Sequence, residues 1–420
     1  MFITQRADCL RRILVACFMA LTCMQASYAN TDLPNPTQVS AAVAAQGGIV
    51  FTCPGADLPA LANALAAYFE SEGVESGLYA QVLDEGSATL QFLLQDRLAG
   101  TDTLNLIHRL EFNVKEELVQ LPTGGKWPRT VVTVSRKEIL LALLQRGRTT
   151  RFGGNACAVE ALADQVGIRQ NTVAWAESLA LRWPNGNSAR WNAKYWVRGD
   201  LKAHQPLHQA IADVFLNPQE YAVGCYAATK LVVIQGILDY YRRVKKDVVA
   251  ADAIARRLMQ GGEPLAHIEP GAAWYFEKDF NPQDMARAGK LTFLVSGIPA
   301  DNFVPGDWTY FLNTDSVTYE KTGYEGSNVI YLGRGKFDDY YNDNNHSYTY
   351  REKLLEVYQW RHKVFSRTRD VANIHPLTAA EIQQLTQTPE QGGLQLDYRI
   401  VPYTFGFTEL PAVAAMLARP

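Results

Sequence analysis

Residues 221–241 read Tyr-Ala-Val-Gly-Cys-Tyr-Ala-Ala-Thr-Lys-Leu-Val-Val-Ile-Gln-Gly-Ile-Leu-Asp-Tyr-Tyr and set a cysteine at the start of an apolar run. The apolar residues from Thr229 to Tyr241 recur at helical spacing, so we predict a helix that begins near Cys225. Gly224 supplies a permissive residue at the helix entrance. A thiol in the first helical turn faces the positive end of the helix dipole, which lowers the thiol pKa and favours the nucleophilic thiolate. The alternative is that Cys225 is a small buried apolar residue, as most lone cysteines are.

Two segments further along the chain predict a sheet for this helix to pack on. Val304-Pro-Gly-Asp-Trp-Thr-Tyr-Phe311 is typical of a tight turn that runs into an aromatic strand. Ser327-Asn-Val-Ile-Tyr-Leu-Gly333 is typical of a second strand that is closed by a glycine. The succession of cysteine helix, Pro-Gly-Asp turn and Tyr-Leu-Gly strand resembles the cell-wall cysteine peptidases of the NlpC type. That resemblance implies an α+β fold with a papain-like, NlpC-like core, in which the cysteine helix packs on an antiparallel sheet.

A closer resemblance covers residues from about Asn155 to about Arg361, roughly half of the chain. This region is similar to the small spore-coat transglutaminases of bacilli, the protein-glutamine gamma-glutamyltransferases. The matching pieces occur in the same order along the chain. They are Asn192-Ala-Lys-Tyr-Trp196, the cysteine helix from Tyr221 to Ile234, Gly306-Asp307 with Tyr310, Phe311 and Asn313, and Gly326 to Gly333 with Lys336.

The resemblance implies a two-step acyl transfer that needs no metal, nucleotide or other cofactor. In that family the cysteine forms a thioester with a glutamine side chain and releases ammonia, and a lysine amine then resolves the thioester into an isopeptide bond. The implied partners are therefore proteins that offer glutamine and lysine side chains. Carried over by position, Cys225 is the nucleophile and Ser327 stands where the family has its glutamate base. Gly224 stands where the family has a second glutamate, and its histidine falls at Tyr340 or thereabouts.

Other residues are candidates for the base, because a hydroxyl such as that of Ser327 has no useful basicity near neutral pH. Glu325 lies two residues earlier and would face the same side of an extended strand, although it is also typical of an exposed loop glutamate. His346 follows the strand and is the histidine best placed to return to Cys225, unless it is a surface residue. Asp339 would orient a base or hold a cationic acceptor, unless its acidic stretch is a solvated loop.

Three functional hypotheses follow from these candidates. The first is an exported transglutaminase-like acyltransferase with Cys225 as nucleophile, Glu325 or His346 as base and Asp339 as a polar aid. The second is an NlpC-like peptidoglycan amidase or endopeptidase, in which water is the acceptor and cell-wall peptides are the substrates. The third is a degenerate, non-catalytic member of the family that binds its partner in the former active-site cleft. The spacing of His204, His208 and His267 does not indicate a metal site.

The first residues predict export from the cytoplasm, either to the periplasm or beyond the cell. Arg6, Arg11 and Arg12 form a basic segment, and the apolar run from Ile13 to Thr22 follows it. Small residues at the positions before a cleavage site then end at Ala29. This is the pattern of a secretory signal peptide, and the apolar run is too short to span a bilayer.

The length of the chain, 420 residues, predicts two or three domains. We divide the chain into a signal peptide at 1–29, a smaller N-terminal α/β module of unknown role at 30–150 and a catalytic domain at 151–420. The glycines and charge of residues 151–155 mark the boundary. Strands are predicted at 49–52, 88–94, 109–114 and 130–134, and helices at 58–71, 137–145, 156–166, 207–215 and 351–365.

Charge and cysteine content narrow the possible partners. The 40 basic and 43 acidic residues give a net charge of −3, so the chain has no basic excess with which to hold nucleic acid. After removal of a leader, Cys53, Cys157 and Cys225 remain, and an exported protein tends to pair its thiols. We predict a Cys53–Cys157 disulfide with Cys225 free, although the sequence leaves all three pairings open.

Overall fold

The computed structural model describes residues 47–259, 292–295, 297–342, 347–365 and 376–402. The predicted signal peptide lies outside these ranges. Within them, none of the helices combines the length and the apolar character needed to cross a membrane.

A four-stranded sheet with two helices forms the first part of the described chain. The strands are β1 (Gly48–Thr52), β2 (Tyr79–Asp84), β3 (Thr89–Leu94) and β6 (Thr149–Gly153), and the helices are α1 (Leu58–Ser71) and α2 (Arg136–Leu143). The sheet order is β2-β3-β1-β6, with β1 antiparallel to β3 and parallel to β6. A separate antiparallel ribbon pairs β4 (Glu117–Leu121) with β5 (Arg129–Thr133). The structure confirms the strand and helix predicted at 49–52 and 58–71.

Helix α2 begins one residue before the predicted start and ends two residues before the predicted end. Ser135 precedes the helix, and its hydroxyl accepts a hydrogen bond from the Glu138 backbone N–H at 3.2 Å. The strand predicted at 109–114 is wrong. Residues Leu110–Phe112 form a short 3₁₀ turn that ends at Asn113 in a left-handed conformation. Apolar Leu110 and Phe112 flank Glu111, and this alternation of residue types is typical of a strand. In the 3₁₀ turn Leu110 is exposed and Phe112 is buried.

The second part of the described chain contains a larger sheet and most of the helices. The helices are α3 (Val159–Ser178), α4 (Leu207–Leu216), α5 (Cys225–Asp239), α6 (Val248–Met259), α7 (Tyr350–Gln359) and α8 (Ala379–Leu385). The strands are β7 (Trp196–Val197), β8 (Asp200–Leu201), β9 (Thr292–Val295), β10 (Trp308–Leu312), β11 (Gly326–Gly333), β12 (Lys336–Asp338), β13 (Ser347–Thr349) and β14 (Arg399–Pro402). The helix predicted at 156–166 begins three residues later, at Val159, and runs on to Ser178.

The large sheet has the order β13-β12-β11-β10-β14-β9, and all of its neighbouring strands are antiparallel. Helices α5 and α3 pack on one face of β11. On the other face, Val329 and Tyr331 of β11 join a second apolar cluster with Leu354 and Val357 of α7. Strand β11 is therefore buried between two helical layers, and all eight of its residues are buried. This arrangement is the cysteine helix on an antiparallel sheet that the sequence predicts.

A disulfide between Cys53 and Cys157 joins the end of β1 to the turn before α3, with the two Cα atoms 5.8 Å apart. The predicted pairing is therefore confirmed, and Cys225 is the unpaired thiol among the described cysteines. Residues 151–155, the predicted boundary, contribute to β6 and to a short 3₁₀ turn. The division into modules at that point stays a prediction.

Candidate active site

Cys225 is the first residue of α5, as the sequence predicts. Gly224 is the N-cap in an extended conformation, with φ −70° and ψ 163°. The segment before the cysteine is held by a residue that follows β12. The Tyr341 hydroxyl donates a hydrogen bond to the Val223 carbonyl at 2.8 Å. Within the first turn, Thr229 Oγ1 donates to the Cys225 carbonyl at 2.7 Å. Cys225 as a whole residue is partly exposed, whereas its sulfur lies against β11 and is buried.

The thiol of Cys225 lies against the beginning of β11. The Asn328 backbone N–H and the Asn328 side-chain Nδ2 both donate to Cys225 Sγ at 3.5 Å, and Sγ itself lies 4.0 Å from the Gly326 carbonyl oxygen. The Asn328 side chain is held in turn by Trp308 of β10, whose Nε1 donates to Oδ1 at 2.9 Å. Sequence reasoning missed Asn328, since an asparagine near a strand start is unremarkable without its contacts.

The edge of β11 is open to the thiol because β12 is short. Strand β12 pairs with β11 only from Ile330 onward, opposite Asp338. Beyond Asp338 the backbone turns away through Tyr340, which has a φ of +74°, and Asp338 Oδ1 accepts the Tyr340 backbone N–H at 2.7 Å. A bulky residue in the left-handed region costs conformational energy and is often found at functional sites. A longer β12 would accept a hydrogen bond from the Asn328 N–H. Because β12 ends earlier, this N–H donates to the sulfur instead.

The backbone of Ser327 lies near the thiol, but its side chain points away from it. Side chains alternate between the two faces of a strand, and Asn328 uses the face toward Cys225. Ser327 therefore shares the opposite face with Val329, which packs in the cluster around α7. The position of the family's glutamate base thus carries a hydroxyl that points away from Asn328's side of β11.

Glu325 precedes β11 and is partly buried, so it is not an exposed loop residue. Its carboxylate accepts the Gly323 backbone N–H at 2.8 Å. Burial raises the pKa of Glu325 above its ordinary value, while the backbone hydrogen bonds oppose that shift. The negative charge of Glu325 also raises the pKa of Cys225, which means that the carboxylate and the thiol interact electrostatically.

The resting thiol has a raised pKa, opposite to the direction predicted from the helix dipole. Burial is the largest cause of this shift. The two hydrogen bonds from Asn328 and the charge of Lys353 lower the pKa of Cys225, whereas Glu325 raises it. Loss of solvent outweighs these favourable contacts, because a buried thiolate has lost its hydration. Because its pKa is raised, the thiol is mostly protonated near neutral pH, and the reaction needs a base to remove the proton.

Asp339 is fully buried, so the prediction's alternative of a solvated loop is wrong for this residue. Its Oδ2 accepts a hydrogen bond from Lys353 Nζ at 2.9 Å, and the same ammonium donates to Glu356 at 2.5 Å. Lys353 and Glu356 both belong to α7 and are buried as well. In the structure Asp339 is thus committed to a buried ion pair on the α7 side of the sheet.

Three buried aromatic side chains, those of Trp308, Tyr310 and Tyr340, lie near the thiol. Trp308 contacts Tyr226 of α5 at 5.5 Å between ring centroids. Tyr310 lies directly over Gly326, where an added Cβ would come within 2.2 Å of the phenol ring. Burial raises the pKa of Tyr310 and of Tyr340 well above the ordinary value, and the charge of Cys225 adds to both shifts. These groups make the surroundings of Sγ apolar.

The remaining candidate, His346, lies outside the described residues. The structure therefore places the β11 backbone on either side of Ser327 against Cys225 and directs Asp339 toward Lys353. The contact between Glu325 and the thiol is electrostatic, because the Glu325 carboxylate is hydrogen-bonded to the Gly323 N–H. No cluster of three or more histidine, cysteine, aspartate or glutamate residues within the described ranges could hold a metal ion.

A protein-family model described as protein-glutamine gamma-glutamyltransferase matches residues 135–345, which is half of the chain. The chain belongs to this transglutaminase family. The match contains Cys225 and all of β10 to β12, and it confirms the family predicted from the sequence. The protein is accordingly an acyltransferase of the gamma-glutamyl type, and the family acts on protein substrates.

Among solved structures, the chain is similar to a transglutaminase from Geobacillus stearothermophilus without its C-terminal extension. The identity is 19%, the similarity covers 60% of this chain and 97% of that chain, and the TM-score is 0.39. At that TM-score the similarity adds nothing to the transglutaminase assignment, which rests on the family match. No curated protein matches the chain.

Proposed function

We propose that this transglutaminase is exported and cross-links proteins through a thioester on Cys225. The thiol loses its proton, and Sγ attacks the carboxamide carbon of a glutamine side chain. The carbon–nitrogen bond then breaks and ammonia leaves with a proton. A lysine amine attacks the thioester, forms the isopeptide bond and returns the thiol. The observation that carries the proposal is the position of Cys225 Sγ, which lies at the start of α5 and against the open edge of β11.

We propose Glu325 as the base that accepts the thiol proton and passes it to the departing ammonia. Its pKa is raised by burial, which brings it closer to the working pH and makes the carboxylate a better proton acceptor than an exposed glutamate. Ser327 lacks basicity, and Asp339 is engaged by Lys353. Glu325 is thus the described carboxylate whose contacts best suit the role, and His346 remains the alternative to be tested beside it.

The apolar surroundings of the thiol favour an amine over water as the acceptor. Trp308, Tyr310 and Tyr340 are buried around Cys225. Exclusion of water protects a thioester from hydrolysis, which would convert the glutamine to glutamate instead of forming a cross-link. We infer that the core is papain-like in plan, with the helix-borne nucleophile of α5 facing the antiparallel sheet.

Export is proposed from two features of the chain. The first is the basic and apolar leader that ends at Ala29. The second is the Cys53–Cys157 disulfide, because structural disulfides persist in oxidising spaces outside the cytoplasm. The proposed site of action is therefore the periplasm or the outside of the cell.

The test is incorporation of a fluorescent primary amine into a glutamine-donor protein by the wild type and by Cys225→Ser. We expect labelling by the wild type and none by the variant. Glu325→Gln should lower the rate by about 10²–10⁴-fold, the usual contribution of a general base. Glu320→Gln is the matched control, since Glu320 is an exposed glutamate in the same loop and should leave the rate unchanged.

Three results would contradict all or part of the proposal. Labelling that persists in Cys225→Ser would exclude Cys225 as the nucleophile. An unchanged rate in Glu325→Gln together with a large loss in His346→Gln would transfer the base to the histidine. If no form labels the donor protein, a muropeptide digest would test whether water is the acceptor, as in the peptidase hypothesis.

A further inference from the structure

Asn328 presents two hydrogen-bond donors to the sulfur of Cys225. Its backbone N–H and its side-chain Nδ2 each lie 3.5 Å from Sγ, and the residue is 2% exposed. A thiolate is an acceptor only, and hydrogen bonds to a charged group are stronger than those to a neutral one. Two convergent donors therefore stabilise the thiolate more than they stabilise the thiol.

The orientation of the Asn328 amide is determined by Trp308. An indole N–H can only donate, so the amide atom that faces Trp308 Nε1 at 2.9 Å must be the oxygen. The amide nitrogen consequently faces Cys225. Trp308 is buried and packs on Tyr226, the residue that follows Cys225 in α5. The same helix that carries the thiol thus helps to hold the tryptophan that orients the amide.

We propose that Asn328, oriented by Trp308, is the residue that stabilises the thiolate of Cys225 during catalysis. It acts on the reacting sulfur itself, through one backbone donor and one side-chain donor. This inference refines the proposed function, on which its catalytic meaning rests. The stabilisation of the Cys225 thiolate by Asn328 can be measured without any acyl transfer.

Other charged and titratable groups also lie near the sulfur, and the two charged ones act in opposite directions. Glu325, on the loop before β11, disfavours the negative charge. Tyr310 of β10 and Tyr340 after β12 are buried phenols that carry no charge near neutral pH. Lys353 of α7 favours the thiolate from the far side of the sheet. Asn328 is therefore the residue among these neighbours that supplies hydrogen bonds directly to Sγ.

The experiment is the pH dependence of Cys225 alkylation by iodoacetamide in the full, disulfide-bonded chain. The modified Cys225 peptide is quantified by mass spectrometry from pH 6 to pH 11. We expect Asn328→Ala to move the midpoint upward by about one to two pH units, which lowers the alkylation rate at neutral pH by about tenfold to a hundredfold. Trp308→Phe should give a smaller upward shift, since the amide remains but loses its orientation.

Asn328→Asp keeps the shape of the side chain and an oxygen for Trp308, so it guards against a result caused by misfolding. Because it replaces a donor by a carboxylate, it should raise the midpoint more than Asn328→Ala does. Asn302→Ala is the matched control. Asn302 is equally buried and donates two hydrogen bonds, to the carbonyls of Thr101 and Arg146, so its loss should not move the midpoint.

A midpoint that is unchanged in both Asn328→Ala and Asn328→Asp would overturn the inference. So would an equal shift in Asn302→Ala, because the effect would then be a general consequence of destabilisation. Failure of amine incorporation by the wild type would contradict the proposed function and leave the alkylation result to decide the role of Asn328.

Discussion

Reduction of the Cys53–Cys157 disulfide should lower the free energy of unfolding by about 4–5 kcal/mol. The two cysteines are 104 residues apart in the sequence. In the chain-entropy treatment, a cross-link that closes a loop of about 100 residues lowers the entropy of the unfolded chain. At 25 °C this stabilises the folded state by about 4.7 kcal/mol. Removal of native disulfides from small secreted domains typically costs about 2–5 kcal/mol, so the estimate lies near the upper end.

The native structure around this disulfide should survive its reduction. Strand β1, which ends at Thr52, is paired in parallel with β6 from Gly48 to Thr52, so backbone hydrogen bonds hold the two segments together beside the sulfur atoms. Phe51 and Phe152 stack at 4.7 Å across the same pair of strands. The loss of stability should therefore arise in the unfolded state.

The assay is urea unfolding of the wild type with and without dithiothreitol, followed by tryptophan fluorescence. Chemical reduction leaves both cysteine side chains in place, so it separates the loss of the cross-link from the cost of a substitution. Cys225→Ser is the control and should show the same decrease on reduction. A decrease below about 1 kcal/mol would refute the loop-entropy reasoning, and loss of structure before any urea is added would refute the claim that β1–β6 pairing persists.

Three further perturbations have a predicted direction. Burial raises the pKa of Glu138 to about 7, so the folded state becomes less stable as pH rises from 4.5 to about 7. Glu138→Gln should therefore be stabilising by up to about 3 kcal/mol at pH 8 and nearly neutral at pH 4, as measured by urea unfolding at both values. Gly326→Ala should abolish amine incorporation, because its Cβ would lie 2.2 Å from the Tyr310 ring; an active variant would show that the ring moves freely. Lys353→Met leaves Asp339 as a buried carboxylate without its ammonium partner and should cost about 3–5 kcal/mol in urea unfolding, whereas a cost near zero would show that the pair is not desolvated.

Elements with strong local signals were predictable from the sequence. Helix α5 shows apolar residues at helical spacing after a glycine, and β11 is a β-branched and aromatic run that ends at Gly333. Gly333 has a φ of +78° in the turn to β12, a conformation that glycine adopts without strain. In both cases the residue types alone specify the element and one of its ends.

Elements that depend on partners distant in the sequence were not predictable. Strand β2 alternates weakly and was missed, since it is stabilised by pairing with β3 across a turn. Strand β6 carries glycines that indicate a boundary, yet its parallel pairing with β1 joins segments about a hundred residues apart. Such pairing depends on tertiary context, which a local window does not contain.

The same limit explains why the chemistry of Cys225 was only half predicted. The helix dipole is a local property of α5 and was visible in the sequence, but burial of the thiol acts in the opposite direction and is the largest cause of the shift in its pKa. A helix terminus is worth at most about 2 kcal/mol to a neighbouring charge, whereas full burial shifts a pKa by up to about 3–5 units. The helix start therefore positions the nucleophile but does not by itself ionise it. We therefore expect ionisation of the thiol to depend on the hydrogen-bond donors of Asn328 and on the proposed base Glu325. Variants at these two positions test ionisation more directly than variants of α5 beyond Cys225.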